Sequence, residues 1–122
     1  MATLIEITSR PDPRGTLTVL DNELPFAIRR VFWIHGATAK RGGHRHHHTC
    51  MGLVSVSGSC EVLVSDGTSR TYYQLDRPNL ILLLDPSDWH TMDKFSPDCV
   101  LLALASHTYD KTDYIDEDYR YD

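Results

Sequence analysis

Four of the seven histidines in this chain lie within five positions, in the run from Arg41 to His48. An imidazole titrates near neutral pH, so it can accept or release a proton, and it is also a common metal ligand. Alternate residues of an extended strand share a face, which would place His44, His46 and His48 on one side. The run therefore indicates either a proton-transfer site or a metal site.

Length and composition limit the function classes. A chain of 122 residues predicts a single domain, residues 1–122. The net charge of −5 does not favour nucleic-acid binding. The three cysteines show no C-x-x-C spacing, which argues against a disulfide framework and a zinc-cysteine site and favours a reducing cytoplasm. The longest apolar run, Leu80 to Leu84, is too short to span a bilayer.

Short apolar and β-branched segments separated by turn residues predict an all-β fold of eight or nine strands. The paired segments include Met51 to Val56 and Cys60 to Val64, while Ser9 to Pro13 reads as a turn because it holds two prolines. No helical stripe precedes the tail from His107 onwards, which is expected to pack as a short helix or loop. Its expected anchors are Tyr109, Tyr114 and Ile115.

The glycine pair before His44-x-His46, followed later by Pro86 and His90, resembles the two signature blocks of the cupin superfamily. That resemblance implies a jelly-roll antiparallel β-barrel with a short C-terminal tail. Metal-binding cupins carry a glutamate shortly after the histidine pair, but positions 49 to 51 hold threonine, cysteine and methionine. The available ligands would at best be His44, His46 and His90 with Cys50, a set that no metal requires. We therefore expect no metal and no cofactor.

A closer resemblance runs through nearly the whole chain. The ordered blocks are Arg14-Gly15-x-Leu17, Leu24-Pro25-Phe26-x-Ile28-x-Arg30-Val31, Arg41-Gly42-Gly43-His44-x-His46, Ser57-Gly58-Ser59, Asp66-Gly67, Trp89, Phe95-Ser96-Pro97-Asp98-Cys99-Val100-Leu101-Leu102, Leu104-Ala105-Ser106 and Tyr109-Asp110-x-x-Asp113-Tyr114-Ile115. They are similar to those of the bacterial nucleotide-sugar 3,4-ketoisomerases. The resemblance implies a metal-independent isomerase that moves the keto group of a dTDP-4-keto-6-deoxyhexose from C4 to C3, and a homodimer that exchanges N-terminal strands. The resemblance also implies that the product is used to make 3-amino sugars for O-antigens and S-layer glycans.

The isomerisation needs a base for the C3 proton, a group that serves the two oxygens, and donors that stabilise the enediolate. We assign the proton transfers jointly to His44 and His46. Arginine suits bidentate contact with a diphosphate, and Arg41 beside the glycine pair is the first candidate. The other predicted substrate-binding residues are Arg14, Arg30, Trp33, Trp89 and His90.

Three departures from the family pattern affect these assignments. His44-Arg45-His46-His47 stands where the family has H-A-H-K/R, and Cys50-Met51 stands where it has Glu-Gln. Phe32-Trp33 replaces a tyrosine pair, so a phenolic hydroxyl of the relatives is missing. A nucleotide-sugar-binding cupin without turnover, a metal-dependent cupin enzyme and a C3/C5 sugar epimerase are the alternative interpretations.

Overall fold

The computed structural model describes residues 1–121, which form antiparallel strands and contain no α-helix. The strands are β1 (Thr3–Glu6), β2 (Thr8–Asp12), β3 (Gly15–Val19), β4 (Arg30–His35), β5 (Arg41–His46), β6 (Met51–Ser57), β7 (Cys60–Ser65), β8 (Arg70–Leu75), β9 (Leu80–Leu84), β10 (Trp89–Asp93), β11 (Val100–Ala105) and β12 (Tyr114–Ile115). A 3-10 turn at Lys111–Asp113 precedes β12. Within this range, no helix is long and apolar enough to cross a membrane.

Two five-stranded sheets enclose the core of the described chain. The first has the order β1-β9-β6-β11-β4 and the second has the order β12-β5-β10-β7-β8. Inward-facing residues of both sheets, such as Leu53, Val62, Leu82 and Leu101, belong to one buried cluster. Burying each such side chain contributes about 1.5–3 kcal/mol, so this shared core holds the two sheets together. The all-β prediction is confirmed.

The N-terminal region differs from the prediction. Residues Thr8–Asp12 form β2 rather than a turn, and they pair with Gly15–Val19 in a separate two-stranded sheet. Pro11 lacks a backbone N–H, but a two-stranded sheet has only edge strands, where proline is tolerated. Counting such short strands brings the total in residues 1–121 to twelve, above the predicted eight or nine.

Strand β5 carries the predicted histidine face. His44 pairs with His90 of β10, and the register shifts between His90 and Thr91. Gly42 sits at this irregularity with φ of 86°, and a Cβ there would lie 2.9 Å from the His90 carbonyl oxygen. Only glycine combines that backbone angle with so close an approach. The two strands therefore meet closely enough to bring their histidines together.

The histidine face is shorter than expected because β5 ends at His46. Beyond it, the His47 N–H donates to the Asp113 carbonyl, and the His48 N–H donates to the Asp113 carboxylate at 2.8 Å. The hydroxyl of Thr49 donates to the same carboxylate. Asp113 thus ends the strand and turns the chain, which leaves His48 exposed and outside the shared face.

The C-terminal tail is held by two of the three expected anchors and by one tyrosine that was not predicted. Tyr114 and Ile115 pair with His46 and Arg45 as strand β12, but Tyr109 is 66% exposed and is not an anchor. Tyr121 instead exchanges hydrogen bonds with the β7 to β8 region, including one of 2.8 Å between its hydroxyl and the Ser65 hydroxyl. The tail therefore crosses the outer face of the second sheet.

Arg45 links this tail to the histidine strand. It points away from its neighbours His44 and His46, and its guanidinium lies 4.3 Å from the ring centre of Tyr119. It donates to the Tyr119 hydroxyl at 3.0 Å and to the Glu117 carbonyl at 3.2 Å. The tail thus braces β5 from the side opposite to the histidines.

Replacement of Arg45 by alanine tests this brace. We expect Arg45→Ala to lower the free energy of unfolding by about 1 kcal/mol, since it removes one cation–π contact and two hydrogen bonds near the surface. Urea unfolding followed by fluorescence measures the change. The exposed Arg29→Ala is the matched control and should change stability by less than about 0.5 kcal/mol. Equal effects of the two substitutions would contradict a bracing role for Arg45.

Candidate active site

A cavity of about 220 Å³ lies between the two sheets, at the side where β4 faces β5 and β12. Apolar side chains of β4, β6 and β11 form one wall, and polar side chains of β5, β10 and β12 form the other. The lining residues are Phe32, Trp33, Ile34, Arg41, Gly42, His44, Met51, Leu53, His90, Met92, Leu101, Ala103 and Tyr114. A largely apolar cavity with a few convergent polar groups is typical of a small-molecule site.

Three histidines meet at the polar wall. The ring centre of His44 lies 5.2 Å from that of His46 and 5.1 Å from that of His90, and the last two are 6.3 Å apart. His44 lines the cavity, while His46 packs behind it and is only 4% exposed. Among residues 1–121, no group of three histidine, cysteine or carboxylate side chains is arranged to hold a metal ion.

Two of these histidines have a ring nitrogen without a partner. The Nδ1 atom of His90 lies 3.1 Å from the Asp88 carbonyl oxygen, which can only accept, so Nδ1 carries the proton. Its Nε2 is then an unprotonated base, and it is buried without a hydrogen bond to any described residue. The Nε2 of His46 is likewise buried and unpartnered within residues 1–121. Buried polar atoms usually have partners, so these atoms are free to meet a ligand.

Burial keeps all three imidazoles neutral. Burial, helped by the nearby His44, lowers the pKa of His46 to about 4. Burial also lowers the pKa of His90, to about 3, and that of His44. Near pH 7 the site therefore contains unprotonated imidazoles, which can accept a proton from a weak carbon acid.

Arg30 provides positive charge behind this site. Its guanidinium Nη1 donates to the Tyr114 hydroxyl at 3.5 Å, and its Nε is buried without a partner in the described chain. The guanidinium also lies 5.4 Å from the ring centre of Phe32. Arg30 thus reaches the cavity through Tyr114 rather than lining it.

The structure brings most of the predicted site residues together. His44, His90, Arg41 and Trp33 line the cavity, and His46 and Arg30 lie directly behind it.

Two predicted residues lie elsewhere in this chain. Trp89 points from β10 towards the tail and donates its indole N–H to the Asp116 carbonyl at 3.0 Å. Arg14 lies at the tip of the β2–β3 hairpin, where it pairs with Asp12 at 2.8 Å.

Sequence reasoning missed the role of the tail at this site. Tyr114 was expected only to anchor the tail, yet its ring centre lies 4.7 Å from those of both His44 and His46. Asp113 was given no role, although it ends β5. Burial alone would raise the pKa of Asp113, but hydrogen bonds from Thr49 and the His48 N–H outweigh it and lower that pKa. Only the pairing of β12 with β5, which the sequence pattern does not show, places these residues here.

The lowered pKa of His46 predicts how stability depends on pH. Its folded pKa of about 4 lies below the ordinary value of 6.5, so the unfolded chain binds a proton first as the pH falls. The contribution of neutral His46 to the free energy of unfolding is therefore fully present above pH 6.5 and is lost as the pH falls towards 4. When the pH is lowered from about 7 to about 4.5, we expect the free energy of unfolding to fall by about 2 kcal/mol less in His46→Gln than in the wild type.

Urea unfolding at the two pH values measures this difference. The exposed His35→Gln is the control and should lose as much stability as the wild type. If His46→Gln also lost as much, His46 would not be the buried neutral group described above.

Comparisons with known proteins show the family of this chain. The model of the family "FdtA: WxcM-like, C-terminal" matches residues 1–122. A TDP-4-oxo-6-deoxy-alpha-D-glucose-3,4-oxoisomerase from Aneurinibacillus thermoaerophilus is 41% identical over 108 residues, which cover 85% of this chain and 78% of the relative.

Two solved structures have a fold similar to that of this chain. The 3,4-ketoisomerase from Helicobacter canadensis has a TM-score of 0.90 and 32% identity, covering 95% of this chain and 90% of that one. QdtA, a sugar 3,4-ketoisomerase from Thermoanaerobacterium thermosaccharolyticum in complex with TDP, has a TM-score of 0.91 and 32% identity, covering 95% and 88%. The cupin-type jelly-roll prediction is thereby confirmed. The chain belongs to the FdtA family and is a sugar 3,4-ketoisomerase by descent and fold.

Proposed function

We propose that this protein moves the keto group of a dTDP-4-keto-6-deoxyhexose from C4 to C3 through an enediol intermediate. The observation that carries the proposal is the cluster of neutral histidines at the polar wall of the cavity. The proton at C3 is acidic because it is adjacent to the ketone, and an imidazole that is unprotonated near pH 7 has a free nitrogen that can accept it. The relative from Aneurinibacillus thermoaerophilus is named for this conversion.

His44 and His46 share the proton transfers at carbon in this proposal. His44 lines the cavity and therefore can contact the sugar, while His46 stands 5.2 Å behind it with an unpartnered Nε2. The apolar wall opposite them, including Leu101 and Ala103, excludes water from the intermediate. A water-poor site strengthens the electrostatic stabilisation of the enediolate.

Arg41 is the proposed contact for the diphosphate. It lies at the start of β5, is exposed, and lines the cavity, where a guanidinium can donate two hydrogen bonds to phosphate oxygens. Trp33 lines the same cavity and is 59% exposed, which leaves a flat aromatic surface for the thymine base. A solved QdtA structure contains TDP, and this supports a nucleotide-sugar ligand.

Deuterium exchange at C3 tests the function. The purified protein, treated with a chelator, is incubated with dTDP-4-keto-6-deoxyglucose in D₂O and followed by NMR. We expect exchange and 3-keto product with the wild type, and a loss of at least about 100-fold with His44→Asn and with His46→Asn, the usual scale for a removed acid or base. The exposed His35→Asn is the matched control and should retain full activity.

Other outcomes separate the alternative functions. Calorimetric binding of the nucleotide sugar without exchange would indicate a binding protein without turnover. Exchange that disappears with the chelator and returns with a divalent metal would indicate a metal-dependent enzyme. Exchange at C5 as well as C3 would indicate an epimerase.

We also propose that the protein is a homodimer that exchanges its N-terminal hairpins. Strands β2 and β3 pair only with each other in the described chain, and an isolated two-stranded hairpin is marginally stable. Leu17 of this hairpin is 62% exposed. The outer face of the first sheet also exposes Val31 and Val56. A partner's hairpin on this face would cover both apolar surfaces and would bring its Arg14 towards the cavity.

Mixing two inactive variants tests the exchange. We expect Arg14→Ala and His44→Asn each to lose activity, whereas their co-expressed mixture regains about a quarter of wild-type activity, because half of the dimers then contain one intact site. If Arg14 acted in the active site of its own chain, the co-expressed mixture would regain no activity. Light scattering of the wild type should give the mass of a dimer.

We further propose a single domain, a cytoplasmic location and a role in the synthesis of amino sugars. One buried cluster shared by both sheets supports a single domain spanning residues 1–122. Three free cysteines within residues 1–121 support a reducing compartment, the cytoplasm. The 3-keto product is set up for transamination at C3, which would supply 3-amino sugars for O-antigen or S-layer glycans.

A further inference from the structure

The cavity contains one side-chain hydroxyl among the residues described, that of Tyr114. The other lining groups that could exchange protons are the imidazoles of His44 and His90 and the guanidinium of Arg41. The aromatic pair of β4, Phe32 and Trp33, lines the cavity without a hydroxyl. Any phenol that acts in this chain's own cavity is therefore that of Tyr114, from the opposite sheet.

The reaction needs such a group. After the C3 proton is removed, O4 must gain a proton and O3 must lose one before C4 can be protonated to complete the isomerisation. A guanidinium does not release a proton in proteins, and burial keeps His44 and His90 in the neutral form. A phenol is protonated at neutral pH and can both donate and accept.

The backbone fixes the position of Tyr114. It pairs directly with His46 across the β12–β5 ladder, and its ring centre is 4.7 Å from those of both His44 and His46. The base and the phenol thus face the same volume of the cavity. A sugar ring bound in this volume could present its C3 atom to the histidine base and the oxygens on C3 and C4 to the phenol.

Arg30 orients the phenol oxygen. Its Nη1 donates to the Tyr114 hydroxyl at 3.5 Å, so the oxygen accepts from the guanidinium and its own O–H is left to point into the cavity. The same guanidinium would stabilise the negative oxygen after Tyr114 has given up its proton. Because Arg30 Nε is buried and has no partner among residues 1–121, the charge of this guanidinium is available to the site.

We propose that Tyr114 is the catalytic residue that carries the proton between the two oxygens of the enediol, and this inference rests on the proposed function. The histidine base takes the proton from C3, and the C–H electrons form the C3–C4 double bond as the C4 carbonyl becomes an oxyanion. Tyr114 gives its proton to O4 and then receives the proton of O3–H. As the O3 electrons form the new C3 carbonyl, C4 takes the proton held by the histidine. Both Tyr114 and the histidine are returned to their starting states.

The substitution Tyr114→Phe removes only the oxygen atom and tests this assignment. We expect formation of the 3-keto product to fall by about 100-fold, the scale of general acid–base catalysis. Deuterium exchange at C3 of recovered substrate should fall less, because the enediolate still forms but reverts to the 4-ketone. The ratio of C3 exchange to product formation should therefore rise at least about tenfold, which a purely structural role would not cause.

Tyr109→Phe is the matched control. The ring centre of Tyr109 lies 5.8 Å from that of Tyr114 and 5.9 Å from the Arg30 guanidinium carbon, but Tyr109 is 66% exposed. This control should leave both rates unchanged. Arg30→Gln should raise the same ratio in a smaller degree, and it tests the assignment separately if Tyr114→Phe folds poorly. Calorimetric binding of dTDP should be the same in the wild type, Tyr114→Phe and Tyr109→Phe.

Two results would overturn the inference in different ways. If the wild type exchanges at C3 but Tyr114→Phe retains product formation within about threefold, Tyr114 is not the proton carrier and the proposed function stands. An equal fall in exchange and product formation would also reject the proton-carrier role. If the wild type shows no exchange, the proposed function fails, and the role of Tyr114 fails with it.

Discussion

The pairing of β5 with β10 is the constraint on which the site depends. These strands carry His44, His46 and His90 from segments more than forty positions apart, and only their ladder brings the rings within about 6 Å. The ladder is irregular at His90, and the absence of a side chain at Gly42 lets the strands approach there. A side chain at that position would press on the β10 backbone and separate the histidines. The glycine pair that precedes the histidines is thus part of the site, although it provides no reactive group.

Burial of these histidines has an energetic cost that folding alone does not explain. His46 and His90 each keep an unpartnered ring nitrogen in the described structure, and each is driven to the neutral form by its surroundings. An unsatisfied buried polar atom costs about 1–3 kcal/mol, and two such atoms in one cluster are unusual in a well-packed core. An apolar side chain would pack there at lower cost. The arrangement is understandable if a ligand uses these nitrogens, which agrees with an isomerase site.

The sequence predicted strands where the apolar pattern was strong, but it did not show where every strand ends. Met51 to Val56 and Cys60 to Val64 were placed well because their buried apolar residues leave a clear signal. Ser9 to Pro13 was misplaced because proline signals a turn in most settings but is accepted on an edge strand. The strand period groups His48 with His44 and His46, but only the last two were predicted to act in the site. The structure removes His48 from the shared face because Asp113, a residue 65 positions away from it, sets the end of β5. Local patterns cannot show a terminus that is fixed by a distant carboxylate.

The same limit explains why the tail looked like a cap. Its acidic and aromatic composition gives no periodicity, yet its two strand residues complete the second sheet beside β5. Asp113 holds the turn after His46, and the next residue, Tyr114, is thereby directed to the cavity. On the outer face, Arg45 and Tyr119 hold the same strand from behind. One segment thus fixes the length, the position and the chemical surroundings of the histidine strand, so changes in the tail should alter catalysis as well as stability.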